Sequence, residues 1–392
     1  MKGTITGYTT EGNELVKEGV ETFSGKNAGV CYMEQSYFNS NVTDKEKAIK
    51  RFRSTIANGH HSIADHYKVT MVLEGIPKIV AMILNSLGDY CTSEKSGRYT
   101  IMSGCSDEEV KLYNKWILKL EAVVEKEYPF IDEKQRLKLA QENARYMLSV
   151  FTPTTMSYTT SIRQWNYIRQ WCLKFECKTK FDKLLKEKLL ELANTIETTG
   201  LVIEGLEDFK NRDFEFMSIQ SNNLYAEEPL EQFGSSYTLN YKASFVHLAQ
   251  AQRHRTLDYF MRFNGEATEF FVPYVLDGQL AEEWLDDIKS VAHLYPNGTL
   301  VNVTETGNIM NFILKCKERL CGRAQIEIMK QTDENLKKLY MHTTDNRVKD
   351  MLSEYLIFEE SNIIKSKTKC MMLSGCKEGC VHTVSNALTR KI

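Results

Sequence analysis

Apolar residues recur at helical spacing along most of the chain, and this pattern predicts a helix-rich protein. Residues 43–46 have the sequence of a capping box, and the helix that they begin carries apolar positions up to Gly59, a residue suited to a left-handed helix stop. Residues 66–73 alternate apolar and polar side chains, which predicts a strand. Pro77 then opens a buried helical segment that extends to Leu87.

The rest of the pattern divides the chain into two halves with a similar order of elements. A helix over residues 181–198 ends at Gly200, where the first half ends. In each half a helix that carries polar motif residues is followed by a connector, a helix, a turn and a long helix, which predicts an internal duplication. The other predicted helices span residues 106–125, 133–150, 243–260, 280–294 and 308–340.

The composition is that of an ordinary globular protein. The chain has 392 residues, 42% of them apolar and 26% charged, with a formal net charge of −2, which excludes a disordered chain and a general affinity for nucleic acid polymers or anionic membranes. No stretch reaches the ~18 apolar residues that a membrane span needs, and residues 1–21 lack the apolar core of a signal peptide. We therefore expect a cytoplasmic protein whose 10 cysteines are reduced.

Two polar clusters lie in the first half. Residues 59–66 contain three histidines and Asp65; a polar loop is favoured over a metal site, because the neighbouring His60 and His61 cannot easily face one ion. Residues 94–99 combine a hydroxyl, a glycine and an arginine, which can clamp a phosphate because a guanidinium matches phosphate oxygens bidentately. Taken alone, such a string also occurs in ordinary turns.

Two further clusters lie in the second half. Gln250, Arg253 and His254 are predicted to share one face of a helix, where the alternative is the solvated charged end of a surface helix. Arg319 and Arg323 are predicted to share a face of the long C-terminal helix, an arrangement that by itself is typical of a surface ion-pair stripe. Because all four clusters occur together in one chain, a common site is favoured over four unrelated surface features.

Together these clusters resemble the flavin-dependent thymidylate synthases. The family motif is Arg-His-Arg, two residues, Ser, four residues, Ser, one residue, Arg-Tyr, preceded upstream by Gly-His-x-Ser-x-x-Glu-His. The resemblance implies an α+β fold of two tandem copies, each helix-rich with a small antiparallel sheet. It divides the chain into a first copy (residues 1–200), a second copy (residues 201–345) and a cysteine-containing tail (residues 346–392).

Each copy has lost a different part of the motif. The first keeps the Ser-x-Arg-Tyr end but has Ser86-Leu87-Gly88 in place of Arg-His-Arg. The second keeps Arg253-His254-Arg255 but has Asp258 at the serine position and Met310 in place of a family arginine. Because family sites form between subunits, the resemblance implies one complete composite site and one reciprocal site that cannot hold a nucleotide.

The resemblance also implies the roles of the retained residues. Arg319 is implied to lie against the pyrimidine of dUMP and to activate the ring without a cysteine nucleophile. The residues implied to bind the nucleotide are Gln250, Arg253, Glu94, Ser96, Gly97, Arg98 and Arg145. Those implied to bind FAD are Arg253, His254, Arg255, Ser62, Asp65, Glu94, Arg163, Asn308 and Arg323.

The same resemblance implies the co-substrates and the assembly. NADPH would reduce the flavin, 5,10-methylenetetrahydrofolate would donate the one-carbon unit, and two chains would pair as a homodimer that mimics a tetramer. No metal is expected: Cys370, Cys376, Cys380 and His382 do not have a standard zinc spacing, and a loose reduced tail is the favoured interpretation.

Two alternatives remain open at this point. One is the same chemistry on another pyrimidine nucleotide, because the divided motifs say little about the sugar. The other is a non-catalytic nucleotide-binding protein, which departures from the family pattern would explain. These departures are Asp65 for Glu, Ser161 for Asn, Met310 for Arg, and Cys172 and Leu314 near expected polar positions.

Overall fold

A computed structural model describes residues 1–8, 17–33, 44–87, 89–97, 104–206, 228–360, 362–372, 380, 382 and 387–392. Two compact units are present: unit 1 comprises residues 1–95 and 153–216, and unit 2 comprises residues 96–152 and 217–392. The predictions made for Thr43, Gly88, Arg98, Tyr99 and Cys376 lie outside the described residues. No helix in the described part of the chain is both long and apolar enough to cross a membrane.

Helices and short strands alternate along the chain. Up to residue 198 the elements are β1 (Lys2–Tyr8), α1 (Lys17–Gly29), α2 (Lys45–Ala57), β2 (Lys68–Pro77), α3 (Lys78–Leu84), β3 (Cys91–Glu94), α4 (Asp107–Glu127), α5 (Glu133–Ala144), β4 (Pro153–Ser161), α6 (Ile162–Lys174) and α7 (Lys180–Thr198). From residue 232 they are β5 (Gln232–Phe233), β6 (Ser236–Ser244), α8 (Phe245–Ala251), β7 (Asp258–Arg262), α9 (Gly278–Ser290), β8 (Leu300–Asn308), α10 (Ile309–Arg319), α11 (Ile326–His342), α12 (Asn346–Ser353), β9 (Leu356–Glu359), β10 (Asn362–Ser366) and α13 (Lys369–Met372).

Unit 1 is built on a four-stranded antiparallel sheet in the order β1-β2-β4-β3. The predicted alternation in β2 is confirmed, because Val69, Met71 and Leu73 are fully buried while their neighbours are partly exposed. The predicted buried helix after Pro77 is also confirmed, although it ends at Leu84 rather than at Leu87. The alternating pattern thus places one face of the sheet in the core of unit 1.

Unit 2 contains a second four-stranded antiparallel sheet, in the order β5-β6-β8-β7. A buried contact in this unit joins α4 to α9, where the rings of Trp116 and Trp284 meet edge to face with centroids 4.7 Å apart. The indole nitrogen of Trp284 donates to the main-chain oxygen of Phe271 at 2.9 Å. Burial of two indoles supplies a large apolar area, so this contact anchors the helices that lead to Arg145.

The two sheets repeat one topology, because each has the strand order first-second-fourth-third and a helix directly after its second and fourth strands. The predicted fold class, a helix-rich α+β protein with small antiparallel sheets, is confirmed. The compact units do not follow the predicted division of the chain, since residues 96–152 pack in unit 2. The tandem duplication stays a prediction, which the repeated topology supports.

The helix predicted over residues 243–260 is wrong in most of its length. Ser244 ends β6 and caps α8, which ends at Ala251, and Asp258 already lies in β7. The apolar residues beyond Leu257 satisfy both a helical and a strand pattern, and pairing of β7 with β8 decides between the two. As a consequence Arg253 and His254 lie in the turn after α8 and not on a helical face.

The single long helix predicted over residues 308–340 is also wrong. The structure has α10 up to Arg319, an irregular segment, and α11 from Ile326. Gly322 lies at this break, where an added Cβ would come within 2.6 Å of the sulfur of Cys380. Arg319 and Arg323 therefore do not share a helical face. The helix predicted over 133–150 likewise ends early, at Ala144, and a single 3-10 turn follows.

Candidate functional site

The centre of the candidate site in unit 2 is the side-chain amide of Gln325. It lies directly before α11 and is 2% exposed. A guanidinium nitrogen of Arg145, from the turn after α5, donates to its Oε1 at 3.0 Å. The side-chain nitrogen of Gln250, from the last turn of α8, donates to the same oxygen. One acceptor therefore holds two of the predicted nucleotide-binding residues, although they are far apart in the sequence.

Arg319 lies on the other side of Gln250. Its Nη2 donates to the main-chain oxygen of Gln250 at 3.4 Å, and its Nε donates to Nε2 of His254 at 2.6 Å. Burial, together with the charges of Arg319 and Lys315, lowers the pKa of His254 to about 3. The imidazole is therefore neutral at physiological pH and accepts a hydrogen bond that orients the guanidinium.

The loop after β3 brings further predicted residues into unit 2. Gly97 lies beside Arg145, because a Cβ added to Gly97 would be 3.8 Å from Cδ of Arg145. Ser96 is half-buried, and Arg253 is exposed at the turn after α8. Gly97 and Arg145 precede residue 200, whereas Gln250 and Arg319 follow it. Unit 2 thus brings together residues that the sequence assigned to different copies.

Glu94 belongs to unit 1 and has its own partners there. Its carboxylate pairs with Lys78 at 2.5 Å and accepts from Nδ2 of Asn85 at 3.4 Å, and its side chain is 7% exposed. These contacts hold Glu94 at the end of the edge strand β3. Its predicted contact with nucleotide and flavin stays a prediction.

Two of the flavin candidates of unit 1, Asp65 and Arg163, form a hydrogen-bonded cluster with Ser161 at the start of α6. The hydroxyl of Ser161 donates to Oδ1 of Asp65 at 2.7 Å, and Arg163 pairs with Oδ2 of the same carboxylate at 2.6 Å. The guanidinium of Arg163 also lies over the ring of Tyr167, 5.6 Å from its centroid. Ser62 is exposed on the 3-10 turn His61–His66, which also carries Asp65. The cluster offers a cation and hydroxyls, which are groups that bind a pyrophosphate.

The flavin candidates of unit 2 differ in their surroundings. Arg255 and Arg323 are exposed. Asn308 is the N-cap of α10, and its side-chain oxygen accepts from the main-chain nitrogen of Met310 at 2.8 Å. The amide oxygen of Asn308 therefore already has a structural role, which leaves its NH2 group for a ligand.

The described residues of the predicted reciprocal site, Ser86, Leu87 and Asp258, include no cation. The hydroxyl of Ser86 donates to the main-chain oxygen of Ile83 at 2.6 Å. Asp258 is exposed at the start of β7, although partial burial of its carboxyl raises its pKa.

Three further departures from the family pattern lie outside the predicted reciprocal site. Burial raises the pKa of Cys172 far above its usual value, so this thiol stays protonated. Met310 and Leu314 are exposed.

Two buried residues behind Gln325 were missed by the sequence analysis. The hydroxyl of Tyr146 accepts from Nε2 of Gln325 and donates to Glu327 at 2.8 Å. Glu327 also accepts from the main chain and hydroxyl of Ser244. Neither residue has a pattern signal, because a buried tyrosine and a glutamate in a first helical turn are common in any helical protein. Among the described residues no group of three or more His, Cys, Asp or Glu side chains could hold a metal ion.

The lowered pKa of His254 predicts a pH dependence of stability. Its pKa is about 3 in the folded protein against 6.5 as the ordinary value, so the unfolded chain binds the extra proton between these two values. The free energy of unfolding therefore falls as the pH falls through this window, and His254→Gln removes that contribution. Urea unfolding measures the free energy of unfolding of the wild type and of the variant. The difference between the two values should be constant above about pH 7, and below about pH 6 the wild type should lose stability relative to the variant. A difference that does not change with pH would contradict the neutral imidazole.

Comparison with known proteins gives a family for part of the chain. Residues 16–175 match the family model described as thymidylate synthase complementing protein. No curated protein matches the chain.

Solved structures of low similarity are also found. The flavin-dependent thymidylate synthase ThyX of Helicobacter pylori, complexed with FAD and dUMP, is 15% identical, covers 50% of this chain and 99% of its own, and has a TM-score of 0.31. The UMP/dUMP methylase PolB of Streptomyces cacaoi, bound with 5-Br dUMP, is 12% identical, covers 51% of this chain and 96% of its own, and also has a TM-score of 0.31.

Proposed function

We propose that this chain methylates dUMP at C5, because residues 16–175 match the family model described as thymidylate synthase complementing protein and the motif residues resemble those of the flavin-dependent thymidylate synthases. In this proposal 5,10-methylenetetrahydrofolate donates the carbon unit and NADPH supplies the electrons through FAD. The observation that carries the proposal is the meeting of Arg145 and Gln250 on one acceptor, Gln325, beside Gly97.

The phosphate of dUMP would bind at Arg145. A nucleoside monophosphate carries nearly two negative charges, and a guanidinium can donate two parallel hydrogen bonds to its oxygens. Gly97 has no side chain between its main chain and Arg145, so a ligand can approach the peptide N–H groups of this loop closely. Ser96, Arg98 and Arg253 are the further phosphate contacts that we propose.

The pyrimidine would bind at Arg319. Its Nε is already committed to the neutral His254, so the guanidinium is oriented before the nucleotide arrives. A fixed cation at the edge of the ring stabilises negative charge on the pyrimidine in the transition state and costs no reorganisation. The buried Oε1 of Gln250 has no hydrogen-bond partner among the described residues and offers an acceptor beside Arg319.

Each unit by itself has residues whose chemistry fits part of a flavin dinucleotide. In unit 1, Ser62, Asp65 and Arg163 provide hydroxyl, carboxylate and guanidinium groups. In unit 2, the residues that we propose as flavin contacts are His254, Arg255, Asn308 and Arg323. When bound, FAD would supply the electrons that convert the transferred one-carbon unit to a methyl group. The protein would hold the cofactor and keep Arg163 paired with Asp65 until the pyrophosphate competes for it.

The proposed function is tested on the purified chain in two steps. The protein should take up FAD, show a flavin spectrum and lose that spectrum when NADPH is added without oxygen. It should then release tritium from C5-labelled dUMP in the presence of methylenetetrahydrofolate. Release from labelled uridylate or deoxycytidylate instead of dUMP would favour another pyrimidine substrate, and a colourless protein that binds dUMP without releasing tritium would be a binding protein. A chain that binds neither FAD nor any pyrimidine nucleotide would refute the proposal.

We also propose that the active form is a homodimer in the cytoplasm, as the family resemblance implies. Light scattering of the purified protein tests the assembly directly. A monomer with full activity would show that one chain suffices.

A further inference from the structure

A buried carboxylate is connected to Arg145, the candidate phosphate-binding residue, by a chain of three hydrogen bonds. Glu327 is in the first turn of α11 and is 5% exposed. It accepts from the main-chain nitrogen of Ser244 at 2.8 Å, from the hydroxyl of Ser244 at 2.6 Å and from the hydroxyl of Tyr146 at 2.8 Å. All three neighbours donate to the carboxyl group, and these hydrogen bonds oppose the burial that raises the pKa of Glu327.

The carboxyl group of Glu327 determines which atoms donate and which accept in the hydrogen bonds that connect it, through Tyr146 and Gln325, to Arg145. The single proton of the Tyr146 hydroxyl is committed to Glu327, so its oxygen can only accept, and it accepts from Nε2 of Gln325. The amide of Gln325 must then turn its oxygen the other way, toward Arg145 and Gln250. A guanidinium has no acceptor atom, so Arg145 requires an oxygen at that position.

We propose that Glu327 and Tyr146 are positioning residues that set the amide orientation of Gln325 and thereby hold Arg145 and Gln250 in the geometry that binds the nucleotide phosphate. The inference rests on the proposed function, because it assigns a purpose to the order of a site that binds dUMP. It adds two residues that touch neither nucleotide nor cofactor.

The substitution Glu327→Gln tests the direction of the relay with almost no change of shape. The new amide can donate to Tyr146, which then donates to the oxygen of Gln325 and turns the NH2 of Gln325 toward the guanidinium of Arg145. Two donors facing each other should raise the Kd of dUMP about tenfold or more. In turnover assays KM should rise while kcat at saturating dUMP stays near that of the wild type, because the reacting atoms are untouched.

Tyr146→Phe interrupts the same relay by removing a single hydroxyl, and it serves if Glu327→Gln does not fold. It should weaken dUMP binding in the same direction. The double variant should bind dUMP with about the affinity of the single variant that binds it less tightly, since both substitutions act through Gln325. Additive losses would indicate two independent structural effects and would contradict the relay.

The matched control is Glu109→Gln in the same unit. Glu109 is also buried, accepting from the main-chain nitrogen of Ser149 at 2.7 Å and from the hydroxyl of Ser106 at 2.7 Å, but it does not contact Gln325. Calorimetric titration with dUMP should give a wild-type Kd for this variant even if its melting temperature falls. Wild-type protein that fails to bind dUMP would refute the proposed function itself. Wild-type protein that binds, with Glu327→Gln and Tyr146→Phe both within about twofold of it, would refute the relay alone.

Discussion

Replacement of Arg145 with alanine is expected to weaken the binding of dUMP about 100-fold or more. Each charge-assisted hydrogen bond to phosphate contributes about 1.5–3 kcal/mol, and a guanidinium makes two of them. The variant also leaves the oxygen of Gln325 with one donor fewer, so Gln250 loses part of its support. Calorimetric titration of the FAD-loaded protein with dUMP measures the effect.

Arg136 provides the matched control, because it lies on α5, the helix that ends directly before Arg145. Its guanidinium donates to the main-chain oxygen of Ile131 at 3.2 Å and pairs with Glu125 at 3.2 Å. Arg136→Ala should cost stability without changing the Kd of dUMP. If Arg145→Ala bound dUMP as tightly as the wild type, the phosphate would not lie at this position.

Asp258→Ala addresses the choice between the two composite sites. Since the reciprocal site is proposed not to bind nucleotide, this variant should bind dUMP nearly as the wild type does. If it lost as much affinity as Arg145→Ala, the functional and the non-functional site would have to be exchanged.

Replacement of Arg163 with alanine is expected to weaken FAD binding about 30-fold or more. The substitution removes the cation of the cluster and leaves the carboxylate of Asp65 without its ion-pair partner, next to where a pyrophosphate would bind. Loss of one charged hydrogen bond and a new repulsion together account for a loss of about 2 kcal/mol. Quenching of FAD fluorescence measures the Kd, and the purified variant should be colourless.

Arg169 lies on the same helix, α6, and pairs with the exposed Glu197 at 2.7 Å. Arg169→Ala should therefore keep the flavin. If Arg163→Ala retained FAD as the wild type does, the cluster around Asp65 would be a structural ion pair and the flavin site would lie elsewhere.

Local signals in the sequence were sufficient for several elements. The helix predicted from residue 106 begins there as α4, and Ser106 and Glu109 form both reciprocal hydrogen bonds of a capping box. Gly59 and Gly200 were predicted as helix stops, and both have positive φ angles. These features depend on contacts within a few residues, and their free energy is therefore present in the local sequence.

The errors arose where distant residues decided the outcome. Residues 258–260 have the apolar spacing of a helix, but the open edge of β8 offers them a ladder of hydrogen bonds, and they form β7. In the same way the apolar pattern continues from α10 into α11, but the chain leaves the helical conformation between them, where Gly322 packs tightly against Cys380 and His382. Neither the partner strand nor the tight contact can be recognised from the spacing of apolar residues.

The candidate site shows the same division. The motif residues Gln250, Arg253-His254-Arg255, Ser96-Gly97 and Arg319 could be found from their order in the chain, since a family motif preserves residue type and spacing. Tyr146 and Glu327 could not, although they determine the orientation of Gln325. They are 181 residues apart, and their hydrogen bond gains its strength only when both are buried together. Residue types and local caps are thus properties of the chain, whereas the direction of a buried hydrogen-bond relay exists only once the fold excludes water from it.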